Sequence, residues 1–319
     1  MTNQPNNLLS VVLLSYYSGE RLIKCYEKLS ACMKAENIPF EMIIIDDGST
    51  DNSYEIALSL EKQHSNVFAY QLSRNYTSHY AIFAGFSKVN GACATAMPDD
   101  FQQPLDTYVN MYRQWQMGNK LIIPYRISRN DGFIKDLFSK WYYRVMNRLS
   151  IVKFPPGGFD IFLADRELID ILNNRISPIN TSTTVEVLRM GFSPVFIPYE
   201  RPVVKSKSRW TLKKKIKQAA DSFFTSSNFP IRLITFLGII TFIFSVILSV
   251  FTIIIKLTGE KTLGGFSIPG WATTVIFISM FSGLILLSLG IIAEYVWRIY
   301  EEVKNRPGFI IKKKEDQNN

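Results

Sequence analysis

The sequence predicts an α/β domain with a mostly parallel central sheet, followed by a hairpin of two transmembrane helices. In the N-terminal part, short apolar runs rich in β-branched residues alternate with segments of helical periodicity, an order typical of parallel sheets covered by helices. Near the C-terminus, residues 233–255 and 270–293 form runs of 23 and 24 residues without a charge. Because about 20 apolar residues cross a bilayer core of ~30 Å, each run is long enough to span a membrane. The alternative for these runs is a pair of buried core helices.

The individual elements follow from the same patterns. Apolar runs predict four strands, at residues 9–15, 40–45, 67–72 and 92–97. Helices are predicted between them at residues 20–36, from residue 51 or 53 to about residue 64, and at 80–89. A further strand is predicted at residues 121–124, and amphipathic helices that lie on a membrane surface are predicted at 133–149 and 210–224. For residues 133–149, an ordinary helix facing the core is the alternative.

Composition excludes several classes of protein. The 319 residues are 47% hydrophobic and 20% charged, which excludes a disordered or collagen-like chain. The three cysteines, Cys25, Cys32 and Cys93, form no CxxC pair, so neither a disulfide scaffold nor a cysteine zinc site is expected. The sequence contains no GxGxxG, GxxxxGKS or GxxxxGKT, which argues against Rossmann dinucleotide and P-loop chemistry.

The net charge of +9 is concentrated around the two hydrophobic runs. Residues 201–217 hold eight basic residues and no acidic one, and residues 298–319 hold six basic and four acidic residues. The rest of the chain is close to neutral, whereas a nucleic-acid-binding protein more often spreads its basic residues over the folded domain. No nucleic-acid partner is therefore expected, and the two basic clusters are expected to attract anionic lipid headgroups.

The charge pattern also predicts the membrane topology and the domains. The link between the runs, residues 256–269, carries only Lys256, Glu260 and Lys261, whereas both outer ends are basic. The positive-inside rule then places both ends of the chain in the cytoplasm. We expect an integral protein of the inner or plasma membrane with a cytoplasmic domain at residues 1–230, two transmembrane helices within 231–295, and a basic cytoplasmic tail at 296–319.

Polar residues follow three of the predicted strands where each strand ends. Asp46 and Asp47 follow the second strand, Arg74 the third, and Asp99 and Asp100 the fourth. Parallel strands end at one edge of their sheet, and ligands of such sheets bind beyond that edge. The sequence therefore predicts that these residues form one site.

Four motifs in a fixed order carry a resemblance to a known family. They read IIDDGSTDNS at residues 44–53, LSRNY at 72–76, PGGFDIFLADR at 156–166 and IPYERP at 197–202. Followed by a basic stretch and two hydrophobic runs, they resemble family 2 glycosyltransferases with a GT-A fold. The resemblance covers nearly the whole chain. It is strongest to the membrane-anchored branch that makes polyprenyl-phosphate sugars, such as dolichol-phosphate mannosyltransferases and bactoprenol glucosyltransferases.

The resemblance implies a nucleotide-sugar donor site formed by Tyr16, Asp46, Asp47, Arg74 and Asp99. In the family the paired carboxylates accept hydrogen bonds from the base. The planar fork of Arg74 suits base or phosphate, and Tyr16 offers a ring for stacking. From the residues alone, the acidic motif is also compatible with a capped strand-to-helix turn, and Arg74 with a surface salt bridge.

The resemblance further implies Asp100 and Gln102 as ligands of Mg²⁺ or Mn²⁺, which bind oxygen ligands together with diphosphate oxygens. The family usually reads DADLQDP at this point, whereas residues 98–104 read PDDFQQP. Pro98 thus replaces the usual first Asp. The alternative is an N-terminal cap of a helix that starts after Pro104.

For the acceptor side, the resemblance implies Asp160 as the catalytic residue beside the anomeric carbon, where it acts as general base or orients the acceptor. Arg126, Arg129 and Arg209 are candidates for the acceptor phosphate or the diphosphate; Arg209 stands where the family has Lys. The alternatives are a turn residue for Asp160 and a solvated face for Arg126 and Arg129.

These expectations combine into a membrane glycosyltransferase that moves a sugar from a nucleotide diphosphate sugar, UDP-linked, to undecaprenyl or another polyprenyl phosphate at the cytoplasmic face. Two alternatives stay open. One is a glycosyltransferase acting on a glycolipid or a lipid-linked glycan. The other, motivated by Pro98 in the metal motif, is a nucleotide-sugar-binding pseudoenzyme that scaffolds other proteins. A homo-oligomer also stays open.

Overall fold

The computed structural model describes residues 7–127, 144, 146–148, 150, 152–156, 158–200, 229–258 and 270–313. The chain divides into two units, of which the first comprises Met1–Ser226 and Arg306–Asn319, and the second Ser227–Asn305. The residues from Arg306 onward therefore group with the N-terminal unit.

The described elements of the first unit are β1 (Leu9–Ser15), α1 (Arg21–Ala35), β2 (Phe40–Asp46), α2 (Ser53–Gln63), β3 (Val67–Gln71), α3 (Ser78–Phe86), β4 (Cys93–Pro98), α4 (Leu105–Gln116), β5 (Leu121–Arg126), β6 (Leu163–Asp165), α5 (Arg166–Arg175), α6 (Thr183–Arg189) and β7 (Val195–Tyr199). The second unit contains α7 (Phe229–Thr258) and α8 (Gly270–Val303).

The strands form one sheet in the order β3-β2-β1-β4-β6-β5-β7. β1 pairs in parallel with β2 and with β4, β2 with β3, and β5 with β7, while β6 runs antiparallel to β4 and β5. Six of the seven strands therefore share one direction, and their carboxyl ends lie at one edge of the sheet. This arrangement confirms the predicted α/β domain with a mostly parallel sheet.

Both faces of the sheet are buried along β1, β2 and β4, which explains why these strands are mostly apolar rather than alternating. Val12 and Ile43 face one hydrophobic core, whereas their neighbours Val11 and Ile44 face the other. Successive side chains of a strand point to opposite faces, so each of these two strands contributes to both cores.

The strands and helices predicted between residues 9 and 97 are confirmed, with ends that differ by at most three residues. The strand predicted at residues 121–124 is confirmed as β5, which extends to Arg126. The sequence reading gave no boundaries for α4, β6, α5, α6 or β7. The predicted amphipathic helix at 210–224 lies outside the described residues, as does most of that at 133–149.

In the second unit, each hydrophobic run lies within one long helix, α7 or α8. Among the described residues, Phe281–Val303 is the one helical stretch long and apolar enough to cross a membrane, and Ile231–Thr241 is a shorter apolar stretch. The two-helix membrane hairpin thus stays a prediction.

Candidate active site

The acidic turn after β2 is fastened by Asp46. This residue is fully buried, and its carboxylate accepts hydrogen bonds from the Ser49 amide at 3.0 Å, from the Ser49 hydroxyl, and from Gln71 Nε2 at 2.9 Å. Helix α2 starts a few residues later, where Asp51 Oδ1 accepts from the Ser53 amide at 3.1 Å. The turn is therefore a built strand-to-helix connection, with one of its carboxylates turned inward.

Asp47 links the turn to the loop after β3. Its carboxylate accepts from the backbone amides of Tyr76 and Thr77 at 2.7 and 2.9 Å. Burial raises the pKa of Asp47 to about 6, although the two amide hydrogen bonds act in the opposite direction. This carboxyl group therefore changes its charge close to physiological pH.

Gly48 allows the two loops to touch. Its φ is +71°, and a Cβ placed there would lie 2.4 Å from the backbone carbonyl carbon of Arg74. The Arg74 guanidinium in turn lies 4.2 Å from the centre of the Tyr76 ring, a distance typical of a cation–π contact. Arg74 is thus held beside the acidic turn.

The loop after β1 completes this corner of the sheet. The amide of Tyr17 donates to Ser49 Oγ at 2.9 Å, and the Tyr17 hydroxyl lies 3.0 Å from that of Thr50. The ring of Tyr16 packs edge-on against Tyr17, with centroids 4.5 Å apart. The structure therefore brings the predicted donor residues Tyr16, Asp46, Asp47 and Arg74 onto adjoining loops.

Three loops at this edge contain a non-glycine residue with a positive φ. These are Tyr17 at 50°, Thr77 at 84° and Phe101 at 52°. Such conformations cost about 1 to 3 kcal/mol each and persist only where the surroundings enforce them, often at functional sites. Their presence in the loops after β1, β3 and β4 marks this edge as the candidate site.

Asp99, a predicted donor residue, is turned toward the loop after β1. Its Oδ2 accepts from Ser18 Oγ at 2.6 Å and from Arg21 Nε and Nη2 at 3.0 and 2.7 Å. This ion pair ties the end of β4 to the start of α1. Asp100 turns elsewhere, so the two adjacent carboxylates have different environments.

Asp100 and Gln102, the predicted metal ligands, lie in contact. Gln102 Nε2 donates to Asp100 Oδ2, and Asp100 Oδ1 is buried without a hydrogen-bond partner among the described residues. A buried carboxylate oxygen left unpaired fits a cation ligand. Helix α4 starts at Leu105 with no side-chain cap bond in the described structure, so the capping alternative lacks support.

No group of three or more His, Cys, Asp or Glu side chains able to hold a metal ion occurs among the described residues. Asp100 and Gln102 alone would supply a cation with at most two protein side chains, and Mg²⁺ is commonly bound by one or two carboxylates together with substrate phosphates and water.

Asp160, the predicted catalytic residue, pairs with the predicted phosphate-binding residue Arg126. Arg126 Nη2 donates to Asp160 Oδ2 at 2.9 Å, and Arg126 Nε donates to the Tyr199 hydroxyl at 3.1 Å. The Asp160 side chain is 64% exposed, whereas that of Arg126 is 12% exposed. Because Arg126 and Tyr199 end the parallel strands β5 and β7, this pair lies at the same edge of the sheet as the acidic loops.

Tyr108, in α4, is a buried tyrosine close to the start of that helix. Its hydroxyl is buried without a hydrogen-bond partner among the described residues. Burial raises the pKa of Tyr108 well above its ordinary value, and the charges of Tyr199 and Asp100 raise it further.

Two predicted residues, Arg129 and Arg209, lie outside the described part of the chain. Conversely, the sequence reading did not single out Ser18, Arg21 and Gln71, which hold the acidic groups in place. Gln71 is the last residue of β3 and lies next to Leu72, where the predicted strand ends, so its position near a strand end was the available signal. Nothing local marks the other two residues.

Comparison with known proteins gives consistent matches. The family Glycosyl transferase family 2 matches residues 10–169. Protein CsbB of Bacillus subtilis (strain 168), named as a glycosyltransferase, is 30% identical over 96% of this chain and 91% of its own. The SfII prophage-derived bactoprenol glucosyl transferase of Shigella flexneri is 26% identical, over 96% of this chain and 97% of that protein. The undecaprenyl-phosphate 4-deoxy-4-formamido-L-arabinose transferase of Serratia proteamaculans (strain 568) is 27% identical, over 97% and 94%.

Proposed function

The chain belongs to glycosyl transferase family 2, and from this premise we propose that it moves a sugar from a UDP-linked sugar donor to a polyprenyl phosphate at the cytoplasmic face of a membrane. Two relatives whose names give bactoprenol or undecaprenyl phosphate as the acceptor match over more than nine-tenths of both chains. Similarity of that extent includes the hydrophobic helices as well as the sheet, which supports a lipid acceptor.

One observation carries the proposal. The carboxyl edge of a single sheet holds the acidic turn after β2, the acidic run after β4, and Arg126 at the end of β5 with its partner Asp160. A sugar transferase needs this combination, since it must recognise a nucleotide, neutralise a leaving diphosphate and bring an acceptor to the same point.

On the donor side, Tyr16, Asp47 and Arg74 are proposed to contact the nucleotide. The Asp47 carboxylate accepts from the Tyr76 amide, and the Arg74 guanidinium lies over the Tyr76 ring. The Tyr16 ring packs against Tyr17 in the loop after β1. Asp46 is fully buried and its oxygens are engaged, so we assign it to shaping the turn. Asp99 is assigned a similar role through its ion pair with Arg21.

Asp100 and Gln102 are proposed to hold a divalent cation, Mg²⁺ or Mn²⁺, through the unpaired Asp100 oxygen. When bound, such a cation stabilises negative charge on diphosphate oxygens. The protein groups around it position the donor and exclude water from the buried side of the run.

On the acceptor side, a lipid phosphate is already anionic and hardly requires a general base. Asp160 is exposed and fixed by Arg126, so we assign it to orienting the acceptor. Arg126, together with Arg129 and Arg209, is proposed to attract the acceptor phosphate. Arginine suits that role because its fork binds phosphate oxygens in pairs.

The membrane arrangement is proposed as the sequence predicted it. The two hydrophobic runs, residues 233–255 and 270–293, form a hairpin whose outer ends are flanked by basic clusters. The catalytic domain and the C-terminus then lie in the cytoplasm. Reporter fusions at residue 319 and within the 256–269 link would contradict this topology if both gave the same compartment.

The full-length protein purified in detergent tests the activity. It is incubated with a library of radiolabelled nucleotide sugars, Mg²⁺ and, in separate reactions, undecaprenyl phosphate or a glycosylated lipid, and the lipid product is identified by mass spectrometry. A sugar on the lipid phosphate supports the proposal. Product only on a glycosylated lipid would show that the acceptor is a glycolipid rather than the lipid phosphate. Nucleotide binding without turnover of any donor would favour the alternative of a pseudoenzyme scaffold.

A further inference from the structure

The segment that follows the last helix returns to the sheet. We call residues 308–312 the C-terminal segment. Ile311 forms an antiparallel bridge with Leu72, and the Ser73 amide donates to the Ile310 carbonyl at 2.9 Å. The C-terminal segment therefore extends the sheet beyond β3, at the loop that carries Arg74.

The C-terminal segment is also packed against the domain. Phe309 and Ile311 lie against the hydrophobic core. A Cβ at Gly308 would lie 2.5 Å from the Pro178 side chain and 3.2 Å from the Tyr80 ring. These packing contacts hold the C-terminal segment against the domain in addition to its backbone hydrogen bonds.

A chain of hydrogen bonds leads from the C-terminal segment to the acidic turn. Lys312 Nζ donates to Gln71 Oε1 at 2.9 Å, and the Lys312 amide donates to the Gln71 carbonyl at 2.8 Å. Gln71 Nε2 donates onward to Asp46 Oδ2 at 2.9 Å and to the Ser49 carbonyl at 3.3 Å. The oxygen of the Gln71 side-chain amide therefore accepts from Lys312, and its nitrogen donates to the acidic turn.

We propose that Gln71, oriented by Lys312 of the C-terminal segment, is a positioning residue of the donor site, and that the C-terminal segment is part of that site. The inference rests on the proposed nucleotide-sugar donor. An amide group has two orientations that differ by exchange of oxygen and nitrogen. The Lys312 ammonium, which only donates, selects the orientation in which Gln71 Nε2 faces Asp46.

The orientation matters because Asp46 is fully buried. A buried carboxylate that loses one of its hydrogen-bond donors destabilises the folded protein. The turn that Asp46 holds together also carries Asp47. The C-terminal segment holds the facing loop as well, through Ser73. The C-terminal segment therefore supports both the turn after β2 and the loop after β3, which carry the proposed donor residues Asp47 and Arg74.

The test uses the full-length protein and the donor that gives product in the assay above, with UDP as the binding probe. Lys312→Met removes the ammonium and leaves the buried groups in place. We expect the KM for the donor and the Kd for UDP to rise about fivefold, in line with loss of one partly exposed charged hydrogen bond, with kcat within twofold. Lys312→Arg should restore both values. Lys313→Met, at the exposed neighbouring position, is the matched control and should change neither value.

Unchanged donor KM and UDP affinity in Lys312→Met, or an equal effect of Lys313→Met, would overturn the proposal. Gln71→Met should raise the donor KM more than Lys312→Met. Because Gln71 is buried, that variant also probes folding, so its unfolding temperature is measured alongside.

Hydrogen exchange separates this inference from the proposed function, because it requires no donor. Lys312→Pro removes the amide that donates to Gln71, and we expect faster exchange at the Ser73, Tyr76 and Thr77 amides than in Lys312→Met. If the wild type binds no nucleotide, the proposed function fails and the donor-site assignment fails with it. If the wild type binds UDP and these amides exchange equally in all variants, only the role of the C-terminal segment is overturned.

Discussion

The turn after β2 and the run after β4 lie at the same edge of the sheet, yet their acidic groups are bonded differently. In the turn, Asp46 and Asp47 are buried, and their carboxylates accept from backbone or side-chain donors of neighbouring loops. In the run, Asp100 keeps a buried oxygen unpaired among the described residues, and Phe101 beside it has a φ of 52°. The carboxylates of the first region are hydrogen-bonded within the protein, whereas the second region has the unpaired oxygen that we propose as a cation ligand.

This difference separates two tasks of the proposed reaction. A pocket whose walls are fixed before binding loses little conformational freedom when the nucleotide enters. In the proposed reaction, the unpaired oxygen of the run after β4 gains a partner when the diphosphate and its cation bind. Substitutions in the turn should therefore change donor affinity first, and substitutions in the run should change turnover first.

The largest effect is expected for Asp100→Asn. The substitution keeps the shape of the side chain but removes the charge of the unpaired oxygen, so kcat should fall by at least about 100-fold, as when a preorganised electrostatic group is lost. Rates are measured at saturating donor with Mg²⁺ or Mn²⁺. Asp106→Asn, an exposed acidic position in the first turn of α4, serves as control. A near-normal rate with added Mg²⁺ would contradict the assignment.

A smaller effect, mainly on donor affinity, is expected for Asp47→Ala. Two hydrogen bonds to the Tyr76 and Thr77 amides are lost, and hydrogen bonds to charged groups contribute about 1.5 to 3 kcal/mol. The KM for the donor should rise about 10- to 100-fold, with a lesser change in kcat. Glu55→Ala, on the exposed side of α2, should leave both constants unchanged. An unaltered donor KM in Asp47→Ala would contradict the assignment of base recognition to Asp47.

Gly48→Ala and Gly118→Ala separate close packing from backbone conformation. Both glycines have a positive φ, but a Cβ at Gly48 would meet the Arg74 backbone at 2.4 Å, whereas nothing lies within 4 Å at Gly118. Gly118→Ala should lower the free energy of unfolding by about 1 kcal/mol without changing the donor KM. Gly48→Ala should cost more and also raise the donor KM severalfold. Equal effects in chemical denaturation and kinetics would show that the contact with Arg74 is unimportant.

The smallest effect is a pH dependence of nucleotide binding. Because the pKa of Asp47 is raised to about 6, lowering the pH from 7 to 5 protonates this carboxyl group and weakens its hold on the two amides. We expect the Kd for UDP to rise a few-fold over that range in calorimetric titrations. Asp47→Asn should flatten the profile, and a wild-type profile as flat as that of Asp47→Asn would contradict the prediction.

The contribution of Asp47 to folding stability depends on pH in the opposite direction. The folded state binds the proton more readily than the unfolded state, whose carboxyl has the ordinary value of 3.8. The contribution of Asp47 to the free energy of unfolding therefore falls as pH rises from about 4 to about 6. Binding and stability should move in opposite directions as the pH is lowered.

The sequence was sufficient for the fold up to β4, because these strands are buried on both faces and read as continuous apolar runs. β6, Leu163–Asp165, has three residues and runs antiparallel. A strand that short shows no periodicity, and its direction depends on pairing with distant strands. Local patterns therefore could not reveal it.

Part of the candidate site was also predictable from the sequence. The acidic residues and Arg74 follow strands, so the parallel sheet brings them to one edge. The pairing of Arg126 with Asp160, and that of Lys312 with Gln71, joins residues that lie 34 and 241 positions apart. Neither contact has a local signal, because each depends on how the whole domain closes.

The distance along the chain between Gln71 and Lys312 has a consequence for biosynthesis. Ribosomes extend a chain by about 5 to 20 residues per second, so Lys312 emerges tens of seconds after the strand that it joins. During that interval, β3 and the loop after it lack the partners that residues 310–312 supply. A polypeptide released early, before residue 308, would keep every strand of the sheet and yet lack the residues that orient the Gln71 amide.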